Sequence, residues 1–296
     1  MAAADQLTRL ARQHALTSKL MGVDFVPAFR TTAAEADESP AHDAETAVEV
    51  VAQAPLQAVA SAIAPAVARP VKSAEAIEAK PVASGTPKFE PRAPGPRTAE
   101  SNTRALEALK ARYIADAPHA PFIKSFTNIV FGEGDPCARL MFVGEAPGEE
   151  EDKTGRPFVG RAGQLLEKMI IAMGLSRESV YICNVLKVRP PNNATPTLEE
   201  AAASEPYLFE QIDIVAPEAI VTLGKSATSC VLKLNDAMGS MRGRWHDLPL
   251  PTGRVVPVMP TFHPAFLLRS YTDENRAKVW SDLKMVMTRL GMVATA

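Results

Sequence analysis

Residues 101–296 are predicted to form an α/β domain with a mostly parallel sheet, on three observations. Short apolar runs alternate with longer segments of helical period. The composition changes near residue 100, from an Ala- and Pro-rich stretch to this alternating pattern. The polar residues of chemical interest fall at the carboxyl ends of the apolar runs, which is where open α/β sheets bind ligands.

Taken in order, Leu7, Leu10, Ala11, Leu16 and Leu20 can share one helical stripe. A short amino-terminal helical segment is therefore expected within residues 1–30, either docking on something or frayed. Residues 31–100 hold one aromatic, Phe89, among runs such as APLQAVASAIAPAVARPVK. Such a stretch cannot bury enough apolar area to offset chain entropy, so a disordered linker is expected. Strands are expected at residues 138–144 (ARLMFVG), 179–185 (SVYICNV), 219–224 (AIVTLG) and 254–260 (RVVPVMP). GQLLEKMIIAMG, PTLEEAAASEPYLFEQIDIVA and KSATSCVLKL fit the helices between them. A last helix runs from about Asp273 to Leu290, entered through a Thr272/Asp273 cap.

Charge excludes a bulk polycation: 32 Lys and Arg stand against 34 Asp and Glu, so any hold on nucleic acid must come from a local patch. No run approaches the roughly 18 apolar residues of a membrane span, and the first twenty residues lack the apolar block of a secretory signal. A cytoplasmic location is expected. Cys137, Cys183 and Cys230 are scattered with no CxxC pair, which suggests neither a disulfide framework nor a zinc site.

Three segments carry candidate chemistry. FVGEAPGEEEDKTGRPFVGRAGQLL follows a strand and, with its five interior glycines and two prolines, reads as a long, tightly turned loop leading into a helix, built for a ligand or for structure alone. It is no Walker loop, since GxxxxGK[ST] is absent. CNVLKVRPPNNATPTLEE ends a strand in Asn184, whose amide can donate and accept and so suits a nucleobase edge, or simply completes a turn. Lys187 and Arg189 are either solvated charges or phosphate contacts. PVMPTFHPAFLLRSY sets His263 on a stiff His-Pro loop, structural or catalytic, ahead of Phe266, Leu267, Leu268 and Arg269. An apolar wedge beside a cation is a recurring device of DNA binding.

In this order, VFGEGDPCARLMFVG, GEAPGEEEDKTGRPFVGRAGQLL, NVLKVRPPNNATP and HPAFLLR resemble the family-four members of the uracil-DNA glycosylase superfamily, over roughly residues 117–290. The resemblance implies a three-layer α/β/α sandwich around a four-stranded, mostly parallel sheet. It also implies a monofunctional DNA N-glycosylase that hydrolyses the N-glycosidic bond of uracil and so initiates base excision repair. Its partner would be uracil-containing DNA, single- or double-stranded, met by a monomer. Carried over residue by residue, Gly144, Glu145 and the backbone around Ala146 would line the pocket, Phe158 would stack on the flipped base, and Asn184 would read its edge. His263 would face O2, Glu151 would lie near C5 and help exclude thymine, and Leu267 or Leu268 would fill the gap in the duplex. Lys187, Arg189, Asn193 and Arg269 would contact the DNA, with Glu145, Asn184 and His263 as the catalytic set.

The departures are as specific. Family-four enzymes usually hold an iron-sulfur cluster on four cysteines, and the corresponding positions here are Ala117, Ala120, Val188 and Ser204. No cofactor is expected, and either apolar packing ties those loops together or they are looser. Ala194 stands where the family often has Arg, which removes one phosphate contact. Ala146 stands where the best-known branch of the superfamily has Asp, so Glu145 or a backbone-held water must orient the attacking water. Two other readings compete with this one. The first is a catalytically silent DNA-binding relative that senses deaminated bases, and the second is a small-molecule nucleotide or amide hydrolase.

Overall fold

The computed structural model describes residues 97–292, so the expected helix within residues 1–30 and the linker up to residue 96 lie outside the described residues. The first described element, α1 (Ala99–Asp116), starts ahead of the boundary expected at 101. Thr98 and Ser101 cap it by exchanging backbone-to-side-chain bonds of 3.0 and 3.2 Å.

Among the described residues six strands form one sheet: β1 (Glu133–Gly134), β2 (Leu140–Gly144), β3 (Tyr181–Asn184), β4 (Ala219–Leu223), β5 (His246–Pro249) and β6 (Val255–Thr261), in the spatial order β1-β3-β2-β4-β6-β5. The four strands expected from the sequence are β2, β3, β4 and β6, and they pair in parallel. The short outer strands β1 and β5 add antiparallel edges, so the sheet has six strands rather than four.

The parallel strands read as unbroken apolar runs because both faces of the sheet are covered. Leu140, Phe142, Ile182, Val221, Leu223 and Met259 face α3 (Arg161–Ala172) and α8 (Asp273–Arg289). Met141, Val143, Cys183, Ile220 and Val258 face α4 (Leu198–Val215) and α5 (Lys225–Leu232). α1 lies outside α4, where Leu109 and Tyr113 meet Tyr207 and Ile214. Thr197 and Glu200 cap α4 reciprocally, and Thr272 caps α8 as expected.

The glycine-rich loop contains a helix that its sequence did not announce, α2 (Glu149–Thr154), because EEEDKT has no apolar stripe. It is anchored instead by polar groups. Asp152 is buried and accepts from the backbone N–H of Thr127 and Asn128 at 2.8 and 3.1 Å. Two further short helices, α6 (Met238–Met241) and α7 (Pro264–Arg269), flank β5 and β6.

β2 is the first strand of the parallel set. The chain leaves it for β3 on one side and crosses by α4 to β4 on the other. Such a reversal of strand order opens a crevice at the carboxyl edge. Gly144 and Asn184 are register partners at that edge, with Leu223 and Thr261 closing the neighbouring pair.

Candidate active site

A cleft of about 870 Å³ opens over this edge, within the size range of small-molecule pockets. Glu145, Ala146, Glu151, Phe158, Asn184, Asn193, His263 and Arg269 all line it. Chain segments more than a hundred residues apart are thus brought to one place by the parallel strand ends.

Gly144 sets how closely two of them meet. A Cβ on Gly144 would lie 2.3 Å from Asn184 Oδ1 and 2.4 Å from Phe158 Cζ, so the amide and the ring close over a glycine. Asn184 is 1% exposed, and its Oδ1 has no hydrogen-bond partner. A buried amide oxygen without a partner costs free energy, and a ligand N–H would satisfy it. Phe158 takes a left-handed φ of 52° and points its ring towards His263, with centroids 5.8 Å apart and planes tilted by 34°.

His263 caps α7, and its Nδ1 accepts the backbone N–H of Ala265 at 3.0 Å. That bond leaves the imidazole proton on Nε2 as a donor. Burial, and secondarily the positive charge of Arg269, lower the His263 pKa to about 4 against an opposing pull from Glu151, so the ring is neutral at physiological pH. Burial pushes the Glu145 carboxyl above its usual range, and the Ser226 and Thr195 hydroxyls partly offset that rise. A carboxylate with a raised pKa beside a cleft can accept a proton from water.

Glu151 reaches the cleft with its oxygens already committed. Oε1 accepts the N–H groups of Val159 and Gly160 at 2.8 and 2.9 Å, and Oε2 accepts that of Gly148 at 3.1 Å. It shapes the glycine-rich loop from within.

Two expected DNA contacts are corrected. Lys187 is 0% exposed, donates to the Asn184 carbonyl at 2.7 Å and to Gln211 Oε1, and lies 5.4 Å from the centre of the Phe131 ring. Its ammonium cannot reach a phosphate because it is spent inside the domain. Leu267 is 1% exposed and packs in the core beneath α7, whereas Leu268 is 37% exposed and is free to meet a duplex. Arg269 is exposed at the rim. Arg189 bonds Asn193 Oδ1 at 2.8 Å and pairs with Glu149 at 3.7 Å, which leaves it partly engaged beside the cleft.

The sequence reading missed Thr195, Lys225 and Ser226. Gly224-Lys225-Ser226 follows β4 directly, so the strand-end rule that selected Glu145 would also have found it.

The residues at the cysteine positions of the resemblance do not fit an iron-sulfur cluster. Ala117 is the left-handed cap of α1, Ala120 is exposed, and Val188 and Ser204 are buried, so none offers a thiolate. Packing occupies that region: His119 stacks on Tyr113 at 5.5 Å and meets the Phe126 ring edge-on at 4.8 Å, beside Ile123, Leu186 and Val188. Cys137, Cys183 and Cys230 are free thiols.

The sequence pattern of the uracil DNA glycosylase superfamily matches residues 131–284. A type-4 uracil-DNA glycosylase of Thermotoga maritima is 49% identical over 158 residues, covering 53% of this chain and 81% of the relative. That of Archaeoglobus fulgidus is 42% identical, covering 55% and 82%. A type-5 uracil-DNA glycosylase of Pyrobaculum aerophilum is 33% identical, over 45% and 63%. The superfamily pattern spans the strands, loops and helices that build the cleft, and with the type-4 relatives covered over four fifths of their length the chain belongs to the uracil-DNA glycosylase superfamily, on its type-4 branch.

Proposed function

We propose that the chain excises uracil from DNA by hydrolysing its N-glycosidic bond. The observation that carries the reading is the unpartnered, buried Oδ1 of Asn184 beside the Phe158 ring and the neutral His263. Uracil presents an N–H at N3 next to an acceptor at O4. The Asn184 amide complements both, accepting from N3 and donating to O4, and cytosine offers the reverse pattern.

Breaking the bond leaves positive charge on the sugar and negative charge on the base. The Nε2–H of His263 donates to O2 as that charge builds, an oxyanion-type contact worth about 3 kcal/mol by analogy with other preorganised donors. Glu145 draws a proton from the water that attacks the sugar carbon and steadies the cationic sugar. The uracil anion leaves and takes up a proton afterwards. Extruding the base costs a few kcal/mol, and stacking on Phe158, about 1–3 kcal/mol, offsets part of it. Glu151, with its oxygens turned to the loop backbone, presents bulk rather than a free acceptor to the C5 edge, which disfavours a methyl group.

Leu268 serves as the wedge and Arg269 as its neighbouring cation on phosphate, with Asn193 lining the same cleft and Arg189 bonded to it. One chain supplies every part of the cleft, so the reading needs no second copy. It also needs no iron-sulfur cluster, since packed rings and aliphatic side chains hold the loops a cluster would tie. No described helix is long and apolar enough to cross a membrane.

The test incubates the protein with single- and double-stranded oligonucleotides carrying one uracil, thymine or cytosine, then cleaves abasic sites with alkali. Cleavage at uracil alone is expected. Binding without cleavage would instead identify a sensor of damaged bases. Iron analysis of the purified chain should find no stoichiometric iron.

A further inference from the structure

We infer that Arg177, which lies outside the cleft, is a positioning residue for Phe158, and that with Glu151 it forms an ionic clamp on the peptide carrying the ring. The inference rests on the stacking role proposed for Phe158. A bulky residue holds a left-handed φ of 52° only where its surroundings over-determine it. At Phe158 they do so from two sides. Arg177 donates to the Phe158 carbonyl at 2.8 Å and to the Pro157 carbonyl, while Glu151 accepts from Val159 and Gly160. Each of the four residues 157–160 thus has a backbone group bonded to a charged side chain.

The clamp is itself held. Arg177 is 9% exposed and turns its remaining edge, through Nε, to the Glu133 carboxylate on edge strand β1. Glu133 also takes two bonds from Arg156, at 2.8 and 3.0 Å. Burial works to raise the Glu133 pKa, and the two arginines outweigh it, so the carboxyl stays below its usual range and charged. The first turn of α3 closes the back of the loop so tightly that a Cβ on Gly163 would lie 1.9 Å from the Phe158 carbonyl oxygen. The planar fork of Arg177 meets three acceptors in fixed directions, which a single ammonium cannot reproduce. The short edge strand β1 and the 3₁₀ turn Arg177–Ser179 acquire a purpose in this arrangement, namely to carry the two ends of the Glu133–Arg177 pair.

The test is a double-mutant cycle of R177A and F158A in single-turnover uracil excision, with R177K alongside and thermal melts to confirm folding. F158A is expected to lose about tenfold to a hundredfold in maximal rate, as loss of a stacking platform does. R177A should show a loss of the same order, with the half-saturating protein concentration little changed, and R177K should not rescue it. Combining R177A with F158A should cost little beyond F158A alone. If F158A is impaired while R177A keeps the wild-type rate, or if the two losses multiply, the clamp is refuted. Should R177A fail to fold, R177K carries the same comparison, since it retains the buried cation and most of the volume. A wild-type protein that releases no uracil would overturn the functional reading instead, so the two failures are distinguishable.

Discussion

Gly144→Ala places a methyl carbon 2.3 Å from Asn184 Oδ1 and 2.4 Å from Phe158 Cζ, both well inside contact distance. Neither neighbour can yield cheaply: Asn184 ends a central parallel strand, and Phe158 is held through its backbone by Arg177. Overpacking of this kind costs about 1–3 kcal/mol, and for a domain of this size each kcal/mol lowers Tm by roughly 2–4 °C, so the fold survives. Catalysis suffers more, because the methyl occupies the space where ring and amide meet the base. Losing a stacking contact of about 1–3 kcal/mol and a hydrogen bond of about 1 kcal/mol predicts a thirtyfold to thousandfold slower excision, at roughly 1.4 kcal/mol per tenfold. Single-turnover release of uracil from an oligonucleotide, read beside a thermal melt, measures both effects. A Gly144→Ala protein within twofold of the wild-type rate would show that the base does not sit over this glycine.

Further outcomes follow from the same geometry. Asn184→Asp should weaken discrimination against cytosine, checked by alkali cleavage of matched uracil and cytosine strands; an unchanged uracil preference counts against the edge-reading role. His263→Ala should slow excision by a hundredfold or more, in keeping with the loss of other oxyanion donors. Because the His263 pKa is lowered to about 4, the rate should show no inflection near pH 6.5, and the acid limb should follow Glu145, whose pKa is raised above 4.5. For stability, the unfolded chain takes up the His263 proton first as pH falls from 6.5 towards 4, so the His263 contribution declines over that window and is constant above it, while Glu145, raised by burial, acts in the opposite direction. Lys187→Met should lower Tm by removing the donor to the Asn184 carbonyl and to Gln211 Oε1, while the salt dependence of DNA binding stays as in the wild type; a shallower slope would restore Lys187 as a phosphate contact.

The parallel strands were legible because burial on both faces leaves an unbroken apolar run, as in LMFVG and AIVTL. The edge strands were not: β1 has two residues, and β5 reads HDLP, with only Leu248 turned inward. α2 escaped because its anchor is Asp152 on a backbone 24 residues earlier, a contact with no local signature. The roles of Lys187 and Arg189 could not be separated in the sequence, since what buries Lys187 is Gln211 on α4 and Phe131 ahead of β1. Leu267 and Leu268 are adjacent and chemically alike, and only the phase of α7, set by the His263 cap, decides which faces solvent. The site residues at strand ends were readable because topology, rather than local sequence, gathers them there.

Excision by this cleft requires one extruded uracil to be enclosed by groups from three chain segments. A crystal structure of the protein with an oligonucleotide carrying a non-hydrolysable 2′-fluoro-deoxyuridine tests this directly. The base is expected to lie against Phe158, its N3 and O4 on the Asn184 amide and its O2 within hydrogen-bond reach of His263 Nε2. A base still stacked in its strand, or held away from Asn184 and His263, would contradict it.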